Sequence, residues 1–103
     1  MKRTVRLLPE AREELRDAAS WYENRREGLG FELRNETNDA LARIAEAPGR
    51  FAMVDDVASD IHARQRHLRR FPYSIVFVED GDRIRVLAIA HQRRAPGYWH
   101  GRH

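Results

Sequence analysis

The chain has 103 residues, of which 42% are apolar and 34% charged, and it contains no cysteine. This suits one domain spanning residues 1–103 with a core of its own, and it excludes a disulfide scaffold, a thiolate metal site and a cysteine nucleophile. The formal charge of +3 is split unevenly, with residues 1–60 netting −3 and residues 61–103 netting +6, so the second part is expected to face something anionic.

Residues 3–8 form a short β-prone run that Pro9 stops, and proline suits the first turn of a helix. From Pro9 to about Arg26, Ala11, Leu15, Ala18, Ala19 and Tyr22 recur at spacings of three or four, which predicts an amphipathic helix. Gly28 and Gly30 mark a turn. A second helix then runs from about Leu29 to Ala47, with Leu33, Thr37, Ala40, Leu41 and Ile44 as its buried stripe and Pro48-Gly49 as its stop. Residues 49–61 have no period, and Phe51, Met53 and Val57 are spaced as loop anchors.

His62–Arg70 is expected to be a strand rich in Arg and His, broken by Phe71-Pro72. Tyr73–Val78 is an apolar strand, and Asp80-Gly81 sits in a tight hairpin turn leading to the strand Arg83–Ala90. That last strand is apolar at both parities in its later half, which predicts a central position. The rest, from His91 to His103, reads as a polar tail closed by Gly97-Tyr98-Trp99. The order β-α-α-β-β-β predicts an α+β fold, with a helical hairpin on one face of a curved, mainly antiparallel sheet. The other face is expected to be partly open and lined in part by the Arg-rich strand.

Two segments could carry function. In the first, alternation puts Arg64, Arg66 and Arg70 on one side of the strand and His67 and Arg69 on the other. Guanidinium groups bind phosphate or carboxylate in a bidentate way, so this row suits an anionic partner. The alternatives are a charged edge that blocks aggregation, or pairing with acids of the first helix. The second segment, His91 to His100, leaves the end of the central strand, where a rigid scaffold displays functional groups. His91 and Tyr98 could move protons, Arg93 and Arg94 could stabilise an anion, and Tyr98 and Trp99 could stack on bases or close over the core edge. Trp21 on the first helix is read as a core or interface packing residue. No metal or cofactor is expected. His62 and His67 fall on opposite strand faces, and no HExxH, P-loop, GxGxxG or GxSxG pattern occurs. Residues 1–20 lack a signal-peptide core and no run approaches a membrane span, so a cytoplasmic chain with no membrane partner is expected.

Together these segments resemble the RelE/ParE toxin superfamily. The matching stretches are Glu13-Glu14-Leu15 through Trp21-Tyr22, Leu29-Gly30, Ile44 to Pro48, Phe71 to Phe77, and Leu87 to Trp99. The resemblance implies the same β-α-α-β-β-β fold and a cognate antitoxin from a neighbouring gene, with DNA bound only through the antitoxin complex. It also implies one of two targets: messenger RNA on the ribosome, cut by RelE-like members, or DNA gyrase, inhibited by ParE-like members. On the RelE-like reading His91, Arg94 and Tyr98 would be catalytic; Arg64, Arg66, Arg69, Arg70, Arg93 and Trp99 are the candidates for target or antitoxin binding. Arg69, Arg94 and Tyr98 match the RNA-cutting pattern. Ser74 and Gln92 stand where it has Arg, and Gln65 and His67 where it has Lys. These departures favour a ParE-like, non-hydrolytic toxin. A non-toxic RNA-binding module is the remaining alternative.

Overall fold

The computed structural model describes residues 3–54 and 62–102, so the expected anchor Val57 and the tail residue His103 lie outside the described residues. Strand β1 (Thr4–Leu7) is followed by helices α1 (Pro9–Arg25) and α2 (Leu29–Glu46), a 3-10 turn at Pro48–Arg50, and strands β2 (Arg64–His67), β3 (Tyr73–Asp80) and β4 (Arg83–His91). The sheet order is β1-β4-β3-β2. β1 runs parallel to β4 and the other pairs are antiparallel. β4 is therefore central, as its two-sided apolar character requires.

Helix α1 starts on Pro9 and buries Ala11, Leu15, Ala18 and Ala19. Small residues at three of those positions let α2 approach closely. Gly30, in the first turn of α2, lies directly against the Ala19 carbonyl of α1. Gly28 takes a left-handed φ of 88° at the turn, a conformation open to glycine at no steric cost. The Glu23 carboxylate of α1 accepts the backbone N–H groups of Gly28 at 2.8 Å and Gly30 at 3.0 Å. It thus satisfies two donors at the start of α2 and places negative charge at the positive end of that helix.

Both helices pack on one face of the sheet. Leu33, Ile44, Ile75, Phe77, Ile84, Val86 and Ile89 form the middle of this core. A second, smaller cluster covers the opposite face: Ala63, Val76, Val78, Leu87, Ala88 and Trp99. A register shift lets β4 serve both. Val76 pairs with Ala88 but Phe77 pairs with Val86, so Leu87 is an extra residue and the alternation of β4 changes phase there.

Three expectations are corrected. The Arg-rich strand is shorter than His62–Arg70, because Leu68 and Phe71 turn into the core at 6% and 5% exposure. Arg64 and Arg66 do not line the open face. They pair across with Phe77 and Ile75, which belong to the helix-side core, while Gln65 and His67 pair with Val76 and Ser74. Met53 is 43% exposed and is no core anchor, although it bridges to Arg64, and Ala52 and Val54 hydrogen-bond to the β2 edge. Phe51 does anchor the segment, with its ring edge-on to Phe77.

Candidate functional site

The segment after β4 folds back over the sheet as a series of turns. Gln92 donates its N–H to the Pro72 carbonyl, Arg94 to His91, Tyr98 to Ala95 and His100 to Gly97. His91 stands edge-on to Tyr73 with centroids 5.0 Å apart, and its Nδ1 accepts the backbone N–H of Arg93 at 3.0 Å. The Arg94 guanidinium lies 4.0 Å from the centre of the Tyr98 ring. Trp99, a sequence candidate for partner contact, is 3% exposed and seals the second cluster.

What holds this segment down is Glu14, which lies in the stretch Glu13-Glu14-Leu15 that carries the family resemblance but was given no role of its own. Its carboxylate accepts four hydrogen bonds: the Ile89 backbone N–H at 3.0 Å, the Tyr98 hydroxyl at 2.7 Å, and the Arg102 guanidinium twice, at 2.8 and 3.0 Å. Arg102 also donates to the Leu87 carbonyl at 3.0 Å. β1 ends at Leu7, paired with Val86, so among the described residues the β4 edge beyond that point lacks a strand partner on that side. Glu14 and Arg102 supply side-chain partners in its place. Both are largely buried, at 20% and 16% side-chain exposure, where charge-assisted bonds are worth more than at the surface. Burial first, and then the hydrogen bond to Glu14, push the Tyr98 hydroxyl far above the usual tyrosine range. The sequence signals for Glu14 were its place in the family-matching stretch Glu13-Glu14-Leu15 and its position one residue before Leu15 in the apolar stripe of α1.

His91, Arg94 and Tyr98 form a ridge between two clefts. One, of about 440 Å³, runs along α1 and is walled by Trp21, Tyr22, Tyr73 and Asp17. The other, of about 450 Å³, lies on the open sheet face. Gln65, His67, Ser74 and Gln92 all line this second cleft. These are the four positions that depart from the RNA-cutting pattern, and the fold brings them together. The His67 Nδ1 and Ser74 Oγ are 2.5 Å apart, so these two side chains partner each other.

The remaining arginine candidates are elsewhere. Arg64 donates to the Phe51 carbonyl at 2.7 Å, and the Arg66 guanidinium lies 5.4 Å from the Phe51 ring centre. Arg70 pairs with Glu32, and the Arg69 and Arg70 backbone N–H groups reach Glu36. The acids that meet this stretch therefore belong to α2, not α1. Arg66, Arg69 and Arg70 line a third cleft of about 350 Å³ against α2. Arg93 is exposed on the turn after β4. Among the described residues, no group of three or more His, Cys, Asp or Glu could hold a metal, and no helix is long and apolar enough to cross a membrane.

No curated protein matches the sequence. Among solved structures, a chain of the chromosomal ParDE TA system from P. aeruginosa superposes with a TM-score of 0.71 at 16% identity, covering 87% of this chain and 96% of that one, a likeness of fold. A family model described as the ParE toxin of the type II toxin–antitoxin system parDE matches residues 5–96. The chain therefore belongs to the ParE toxin family of type II toxin–antitoxin systems.

Proposed function

We propose that this chain is a single-domain cytoplasmic toxin that arrests growth by binding DNA gyrase, cuts no RNA, and is neutralised by a cognate antitoxin. The observation that carries this reading is that the four open-face positions Gln65, His67, Ser74 and Gln92 hold no arginine or lysine, which leaves Arg94 as the one guanidinium among the residues lining that cleft. Cleavage of RNA by its own 2′-hydroxyl builds negative charge on the phosphate, and a missing donor to such a transition state costs roughly 10²–10³ in rate. Gln65, His67, Ser74 and Gln92 offer hydrogen bonds there but no arginine or lysine charge. Tyr98 is also poorly suited to proton transfer, because its hydroxyl is committed to Glu14 and resists ionisation. The cationic turn after β4 remains available for a protein partner.

The purified protein is expected to block gyrase supercoiling in vitro. Induction in cells should leave the pattern of messenger RNA 5′ ends unchanged. Codon-positioned cuts that disappear on His91→Ala would refute the proposal in favour of ribosome-dependent cleavage. DNA binding is expected only for the toxin–antitoxin complex, which a gel-shift comparison of free and bound toxin would check.

A further inference from the structure

Arg93 and Arg94 have no carboxylate partner among the described residues, whereas Arg102, eight residues on from Arg94, is fully engaged. These two cations sit on a turn that projects between two clefts. Beside them is an aromatic wall. Trp21 is 51% exposed, stands edge-on to Tyr22, and Tyr22 stands edge-on to Tyr73. An exposed tryptophan beside half-buried tyrosines and arginine has the composition of protein-binding hot spots. The same cleft is lined by the carboxylate of Asp17, beside a Glu14 whose charge is paired with Arg102. A nucleic acid, with one negative charge per roughly 1.7 Å of duplex, would be repelled there, and two cations are too few to track it. A folded acidic surface can place single carboxylates on Arg93 and Arg94 and stay clear of Asp17.

Backbone turns hold the ridge together, and a side chain of α1 pins its far end. Glu14 fixes the Tyr98 hydroxyl, and the Tyr98 ring supports the Arg94 guanidinium. From this we infer that the His91–Tyr98 ridge is the surface that meets gyrase, that it meets an acidic protein patch, and that Glu14 is the positioning residue that presents it. This rests on the gyrase reading above and names its contact surface.

The test measures binding of the purified toxin to gyrase without DNA, alongside thermal unfolding and amide exchange. Arg93→Ala/Arg94→Ala changes exposed side chains and leaves the core alone. It should weaken binding at least about tenfold, the scale of one interface contact. Glu14→Gln should weaken binding about tenfold at temperatures where the protein stays folded, with faster amide exchange confined to residues 92–98. Tyr98→Phe, which removes one hydroxyl, should show a smaller loss of the same kind. Wild-type binding with undiminished binding by all three variants would overturn this inference and leave the gyrase reading intact. Wild-type failure to bind or inhibit gyrase removes that reading itself. Binding that needs DNA, or equal binding to bare duplex, would overturn the protein partner. Loss that only follows the unfolded fraction of Glu14→Gln would overturn its positioning role.

Discussion

Replacing Gly30 with alanine sets two effects of opposite sign against each other, and the structure decides between them. Helix propensity alone favours alanine by at most about 1 kcal/mol. The new Cβ would lie 2.4 Å from the Ala19 carbonyl oxygen and 3.1 Å from Glu23 Oε1. The first contact is short of ordinary packing by about 1 Å, and the atom it meets is backbone that cannot swing away. The helices must separate, which costs about 1–3 kcal/mol as overpacking does. Separation also stretches the 3.0 Å bond from Gly30 N–H to Glu23, worth about 1 kcal/mol. The net expectation is a loss of about 1–3 kcal/mol, or a fall in Tm of roughly 4–20 °C for a domain of this size. Urea unfolding followed by circular dichroism should show a lower midpoint at unchanged slope. Gly49→Ala is the control, since its Cβ meets nothing within 4 Å. A Gly30→Ala variant as stable as the parent, or more so, would refute the close helix crossing.

Other outcomes follow from the same structure. Leu33→Ala, at 0% exposure, should cost about 2–5 kcal/mol in urea unfolding, whereas Phe31→Ser, at 62% exposure, should stay within about 0.5 kcal/mol. In a spectrophotometric titration Tyr98 should ionise well above the ordinary tyrosine range, and Tyr98→Phe should remove that phase. Its folded pKa is raised, so its contribution is fully present below the ordinary value of 10.0 and is lost as pH rises through the folded value. Glu32 has the opposite sign. Its hydrogen bond from Arg70 holds the carboxyl below the ordinary 4.5, so that contribution is present at neutral pH and lost on acidification. Because the pair is open to solvent, Glu32→Gln should leave the unfolding midpoint nearly unchanged, and added salt should erase any difference.

Much of the fold could be read from local signals. Pro9, the three-and-four spacing of Ala11, Leu15 and Ala18, and the Asp80-Gly81 turn each act within a few residues of themselves. The orientation of the Arg-rich strand could not be read this way. Alternation correctly separated Arg64 and Arg66 from His67, but which side faced the helices depended on pairing with β3, a contact between segments about ten residues apart. The site was half legible. The ridge residues stood out because a charged and aromatic run follows an apolar strand. Glu14 did not, because its role depends on Ile89, Tyr98 and Arg102, all more than seventy residues away.

The extra residue in β4 links these features. Ahead of Leu87, Ile84 and Val86 face the helices; after it, Ile89 does, and Ala88 turns to the second face. Without the phase change Ile89 would point away from the helices and Ala88 towards them. With it, small residues, Ala88 and the half-buried Ala90, sit where Trp99 packs. A bulky aliphatic there would hold the indole off the sheet. The buried Trp99 in turn fixes the far end of the ridge, while Glu14, reaching over from α1, fixes it at Tyr98. The same shift puts His91 opposite Tyr73 on the helix side, next to the aromatic cleft. One inserted residue in the central strand therefore both completes the core and aims the cationic turn outward.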